Sequence, residues 1–262
     1  MIRYAKLAML QLRISAATGM AYRADFLLAG AMALATIGMT LLPLSVVYSE
    51  RETVAGWDQP SALVLMAYFL GLRAVLEGVI SPSIIDLVER IRSGAFDYVL
   101  LKPVDAQVMI STSRFEPWKI LDLIGALGLV VYALVLRGEA PSIVDLALGV
   151  LMFFAGVVAM YGLWIICAAA SFWVVRLDNL TFLLGSIFDL ARWPVQMFPG
   201  VWRLIFTVII PVAVMTTYPA MALLGRLDAQ TALATIGGSL VLLAIGRVVW
   251  TAAIRNYTSA SS

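Results

Sequence analysis

The stretch LALGVLMFFAGVVAMYGLWIICAAASFWVV, Leu146 to Val175, runs for 30 residues without a charged side chain. As a helix it would be about 45 Å long, at ~1.5 Å per residue. That exceeds the ~30 Å hydrocarbon core of a bilayer, so a helix of this kind crosses the membrane and either tilts or projects from it. The run is continuously apolar, whereas the strands of a membrane barrel alternate over about ten residues. The sequence therefore reads as an all-α, polytopic membrane protein.

Neighbouring segments repeat the pattern. Counting the short approach from Ile143, the long run makes a fourth span over 143–175. Before it lie uncharged Phe26 to Tyr48 (26–48), then 61–81 carrying Arg73 and Glu77, then 120–136 with Asp122 at its entrance. After it come 180–198, which holds Asp189, Arg192 and Pro194, and a last span over 232–254. Between these two, residues 202–225 are apolar, but Pro211 and Pro219 interrupt them. A straight helix is disfavoured there, and irregular backbone at membrane depth needs protein around it. The expectation is six spans, with 202–225 a broken, re-entrant segment. Residues 1–25 are helix-compatible, with Leu7, Leu10 and Ile14 on one face and four basic residues interspersed, and read as a retained interfacial segment.

Composition agrees: 62% of the 262 residues are hydrophobic, 13% are charged, and mean hydropathy is +0.97. A soluble domain would be roughly a quarter charged. The net charge of +2, with no basic block, argues against a nucleic-acid partner. There is no histidine, which removes the commonest metal ligand and general base, so no metal site is assigned. The lone Cys167 lies mid-span and reads as a small core residue.

One polar island interrupts this apolar chain. Residues 84–119 hold ten charged side chains in 36 positions. Under a six-span topology, the island, both termini and the turn at Arg176 carry 11 Lys/Arg residues, and the opposite loops carry four. That bias puts the island and the termini in the cytoplasm. Pro82 can start a helix in which Ile84, Leu87, Val88 and Ile91 recur at helical spacing. Gly94 would end it, and a second short helix from about Ala95 would carry Phe96, Tyr98, Leu100 and Leu101 as far as Lys102-Pro103. Two amphipathic helices at a sharp corner suit docking into a groove on another protein, and equally suit a loop folded on its own helix ends.

The segment Ile91-Arg92-Ser93-Gly94-Ala95-Phe96-Asp97-Tyr98-Val99-Leu100-Leu101-Lys102-Pro103-Val104 resembles the signature after the second span in permease subunits of bacterial type-2 ABC exporters. Ile210-Pro211-Val212-Ala213, Tyr218-Pro219-Ala220 and Leu223-Leu224-Gly225 resemble the pattern before the last span of the same six-span subfamily. The resemblance implies a dimerising permease of the bacterial inner membrane, a homodimer or a pair with a similar permease, surrounded by lipid. A separate ABC ATP-binding subunit would bind ATP and Mg and drive it. The coupling element would then be the neighbourhood of Glu89, Arg90, Arg92, Gly94, Phe96, Asp97, Tyr98, Lys102 and Pro103. Pro211, Tyr218 and Pro219 would belong to the re-entrant element. The sequence has no G-x-x-x-x-G-K-[ST], so no P-loop is expected in this chain.

Charges inside spans need partners. Arg73 and Glu77 are spaced to pair on one helix face, as are Asp189 and Arg192, and each pair reads as local neutralisation in preference to substrate contact. Asp122 and Arg247 read as reaching interfacial water. Eight tryptophans and tyrosines, Trp57 and Trp250 among them, are expected to form an interfacial belt. Two other functional classes stay open on the residues alone: a membrane-embedded lipid-acting enzyme, and a non-transporting assembly or anchor protein.

Overall fold

The computed structural model describes residues 9–11, 23–172 and 184–257. Most of the expected interfacial segment, the turn at Arg176, the start of the fifth span and the polar tail lie outside these residues.

α1 (Arg23–Glu50) leads into a two-residue hairpin, β1 (Thr53–Val54) against β2 (Trp57–Asp58), in register Thr53 to Asp58. Next comes α2 (Gln59–Val75), which continues through a π turn, Leu76–Ile80, into α3 (Ser81–Arg92). The expected helix start at Pro82 is thus the middle of one 34-residue helix. Proline explains the π turn. Pro82 has no amide to give the carbonyl four residues earlier, that of Gly78. The Gly78 carbonyl instead accepts from the Glu116 amide at 2.8 Å, and the Ser81 amide reaches back five residues to Leu76. An unmade helix bond thereby ties the far end of the polar segment to this helix.

The polar segment contains α4 (Asp97–Leu100) and α5 (Ala106–Ser111), and a 3-10 turn, Pro117–Lys119, starts α6 (Ile120–Arg137). α7 (Ile143–Ala169) opens with a capping box, Ser142 to Asp145, and ends in a 3-10 turn, Ala170–Phe172. The described part of the expected fifth span is not one continuous helix. Residues 184–188 are helical, Asp189–Arg192 and Val195–Met197 are 3-10 turns, and Trp193 and Pro194 between them are extended. Pro194 causes this break, because proline also drives the residue before it out of the helical region.

Residues 201–223 form two arms bent by 70° at a short break. One arm is α8 (Val201–Leu204) with a π turn, Ile205–Ile209, and the other is a π turn, Ala213–Thr217, with α9 (Tyr218–Leu223). The kink sits at Ile210-Pro211, as the proline spacing predicts. Every residue from Val212 to Thr217 is buried, which meets the requirement that irregular backbone be covered. Thr216 Oγ1 donates to the Ala191 carbonyl at 2.7 Å, and the Val195 amide donates to Thr217 Oγ1 at 3.2 Å. α10 (Ala229–Arg255), capped by Asp228, closes the fold.

Five helices among the described residues are long and apolar enough to cross a membrane, or six if the bent pair counts as one span. The protein is a polytopic all-α membrane protein. α2 is its axis: in the apolar 18-residue stretch of the span that begins with it 72% of residues are buried, against 17% for α1 and 22% for α10, so the last two expose apolar surface outward. α7 and α10 cross at small residues. A Cβ on Gly162 would lie 3.0 Å from Leu242 backbone, and one on Gly246 would lie 2.5 Å from Ile165. Such backbone approach drives helix association where lipid removes the hydrophobic drive.

Candidate functional site: the polar segment and its two anchors

The Gly94 corner is built as the sequence suggests. α3 ends at Ser93, Gly94 has φ +74°, and the chain doubles back so that the Phe96 amide donates to the Arg90 carbonyl at 3.0 Å. One expectation is corrected here. Phe96 was placed on a docking face, but it is fully buried in its own chain. Its ring meets Phe172, Tyr257 and Trp250 edge-on, with centroids 5.2, 5.4 and 6.4 Å away. A four-residue helix cannot place all its apolar groups on one side, and the aromatic cluster claims Phe96 and Val99. Trp250 and Trp57, expected in an interfacial belt, are 1% and 3% exposed. The first joins this cluster. The second seats the β1–β2 hairpin, its carbonyl accepting from Tyr48 and its Nε1 donating to Gln196.

What faces outward is the other side of α4. Tyr98 is 71% exposed and Leu101 79%, with Leu100, Lys102 and Pro103 also exposed beside them. Glu89 and Arg92 are exposed on α3, Arg90 is paired with Asp86 at 2.7 Å, and Asp97 is half-buried. The coupling residues expected from the resemblance therefore divide into an internal anchor, Phe96, a corner, Gly94, and an exposed apolar-basic patch.

Two polar networks fix this segment to the membrane helices. The first joins both expected intramembrane pairs into one cluster. Arg73 Nε donates to Glu77 Oε1 at 2.7 Å, and Arg73 Nη1 lies 3.6 Å from Asp189. Arg192 Nη2 is 3.2 Å from Asp189, and its guanidinium also sits over the Phe69 ring at 5.5 Å. Lys119 Nζ bridges Glu77 at 2.6 Å and Asp122 at 3.0 Å. Asp122 is thus a member of the cluster, where free interfacial solvation was expected. Three cations meet three anions, so the cluster is balanced and offers no net charge. Glu77 lies 18 residues past Gln59, about 27 Å along the helix at ~1.5 Å per residue. That depth puts the cluster near the polar-segment edge of a ~30 Å core.

The second network was invisible in sequence. Arg247 of α10 grips Asp105 at the N-cap of α5 with both terminal nitrogens, Nη1 to Oδ1 at 3.0 Å. Arg247 Nη1 also donates to Gln107 Oε1 at 2.9 Å, Gln107 Nε2 donates to Tyr161 Oη at 2.9 Å, and Tyr161 Oη shares a hydrogen bond with Ser111 Oγ at 2.6 Å. Hydrogen bonding from Arg247 holds the Asp105 carboxyl below its ordinary value of 3.8. Gln107 is 6% exposed, and both ends of its amide are bonded, as a buried amide requires. Ser83 adds a third tie, its hydroxyl facing the carbonyls of Ser111 and Arg114 at 3.2 and 3.1 Å. Among the described residues no group of acidic or cysteine side chains converges as a metal set.

Such a fold, with a polar segment locked between its second and third membrane helices and a bent segment before its last, is that of an integral membrane protein. The family model described as ABC-2 family transporter protein matches residues 34–261, and the chain belongs to that family. Comparison with curated proteins finds no match, and comparison with solved structures finds none.

Proposed function

We propose that this chain is the membrane-spanning half of an ATP-driven exporter, powered by a separate ATP-binding subunit that docks on the Glu89–Pro103 segment. The observation that carries this reading is the patch of Tyr98, Leu101 and Lys102. These exposed side chains sit on a polar segment that α5 and Glu116 tie to α7, to α10 and to the π turn after α2. A surface of that kind moves with the membrane helices as a rigid body, which a mechanical coupling needs. ATP and Mg would bind in the partner, and a second permease, identical or similar, would complete the translocation path. The Lys/Arg distribution supports a cytoplasmic polar segment with cytoplasmic termini, and the resemblance to bacterial permeases supports the inner membrane. The balanced charge cluster supports a structural role for Arg73, Glu77, Asp189 and Arg192.

The experiment is co-expression with candidate ATP-binding subunits and co-purification of whichever associates. Tyr98→Ala with Leu101→Ala should abolish association and transport-linked ATP hydrolysis while the chain is still produced and inserted. Full association of that double variant would remove the polar segment from the docking role.

A further inference from the structure

A groove of 570 Å³ lies between α10, the bent segment and Ala159 of α7, on a face that neither polar network uses. That volume is in the range of small-molecule sites. Val214, Leu242 and Ile245 give it an apolar wall, whereas Tyr218, Gln230 and Thr231 gather at the end near Asp228. Val208 and Val241, on its lining, are 66% and 59% exposed, so the groove opens sideways toward the membrane. From Gln230 to Ile245 is 15 residues of helix, about 22 Å at ~1.5 Å per residue, longer than the roughly 15 Å of hydrocarbon in one leaflet.

Two further observations mark a ligand. The Thr235 side chain lines the groove, is 3% exposed, and its hydroxyl has no hydrogen-bond partner among the described residues. Ser239, one turn on, is satisfied by the Thr235 carbonyl at 2.8 Å, so Thr235 stands apart from its neighbour. A buried hydroxyl in an apolar setting is unfavourable until something bonds to it. Beside it Gly238 leaves open space, with no atom within 4 Å of where a Cβ would stand.

We propose that this groove is a resident site for one acyl chain of a membrane glycerophospholipid. The ester carbonyl accepts from the Thr235 hydroxyl, and the headgroup rests on Tyr218, Gln230 and Thr231. The spacing suits that pose. Thr235 lies six residues inside the helix start at Ala229, about 9 Å at ~1.5 Å per residue, where the carbonyl of a lipid follows its headgroup. The chain then runs along Leu242 and Ile245. An occupant that is apolar along its length, polar at one end and laterally delivered is what the lining selects.

The test needs no ATP-binding partner, so its failure is separable from failure of the exporter reading. The purified chain is reconstituted in phosphatidylcholine–phosphatidylglycerol vesicles containing a phospholipid with a diazirine in its acyl chain, and labelled peptides are mapped after illumination. Label should concentrate on residues 207–214 and 230–245. Gly238→Leu, whose Cβ meets no atom within 4 Å, puts a side chain into the open space and should remove that label at unchanged thermal stability. Thr235→Val keeps the shape, loses the donor, and should weaken it. Label spread evenly over the outward faces of α1, α6 and α10, and indifferent to Gly238→Leu, would overturn the proposal. A disulfide between two copies of a Gly238→Cys, Cys167→Ala variant would overturn it too, since the groove would then be covered by a second chain.

Discussion

Arg247 on the last membrane helix holds Asp105 of the polar segment through both guanidinium ends, across 142 positions of sequence. This contact makes α10 and α5 move together. The ion pair is partly solvated, the two side chains being 50% and 28% exposed, so its worth to stability is about 1 kcal/mol or less. Its larger consequence is positional, because Asp105 also caps α5 by accepting from the Val108 amide at 3.2 Å.

The sign of the pH response follows from Asp105. Its folded value lies below the ordinary 3.8. The stabilisation is therefore complete above the unfolded carboxylate range and lost as pH falls through the folded value. Thermal unfolding in detergent should show wild type more stable than Asp105→Asn at pH 7, with the gap closing below pH 3.8. A gap that stays constant down to the lowest pH would separate the residue from the contact.

Removing one member of the charge cluster should cost more than removing a matched pair. Arg73→Leu alone leaves three carboxylates to two cations, with Glu77 held by Lys119 only and Asp189 by Arg192 only. Arg73→Leu with Glu77→Leu leaves Lys119 with Asp122 and Arg192 with Asp189, both still paired. The single variant should be poorly expressed and the double should recover most of the yield. A well-expressed double that no longer transports would assign the pair to the substrate path.

Phe96→Ala should now read as a folding defect. It empties the ring's place among Phe172, Trp250 and Tyr257 and should lower stability by about 3 kcal/mol or more. Tyr98→Ala and Leu101→Ala, both on the exposed side, should shift it by no more than ~0.5 kcal/mol. Melting curves of the three variants distinguish the anchor from the patch.

Gly162→Val should push α7 off α10, because its Cβ alone would approach Leu242 backbone at 3.0 Å. Overpacking of this kind costs about 1–3 kcal/mol. The measurement is the melting temperature, with Gly128→Val, where no atom lies within 4 Å of the added Cβ, as the matched control.

Sidedness can be read with single cysteines in a Cys167→Ala background. Ser93→Cys should resist an impermeant thiol reagent in intact cells, and Glu139→Cys, on a side chain 70% exposed, should react. Reversed labelling would invert the topology.

Much of this fold was legible because membrane spans are written as long local patterns. The third and fourth spans, the glycine corner and the proline-broken segment all follow from neighbours within a turn or two. Arg73 with Glu77 was legible for the same reason. The partners of Arg247 and Asp122 were not. Arg247 read as reaching interfacial water, because Asp105 comes near it only after the chain has folded. The cap pattern at Asp105, with Val108 three residues on, was a local signal for α5 alone. Phe96 was misplaced because four helical residues show too little periodicity to tell inside from outside. The fifth span was drawn through Pro194 because average apolarity outweighed a single backbone constraint.

The π turn at Leu76–Ile80 gives the longest helix among the described residues a phase. Each residue of an α-helix turns its side chains by about 100°, at ~3.6 residues per turn. The wider turn between α2 and α3 therefore sets the angle at which Ser83 and Leu87 face, relative to Leu72 and Arg73 in the membrane. Deleting one residue from it would leave both halves helical and equally apolar. It would nevertheless swing Ser83 away from the Ser111 and Arg114 carbonyls and withdraw the Gly78 carbonyl from the Glu116 amide. A torque applied at α3 would thus enter α2 with a twist offset written into five residues.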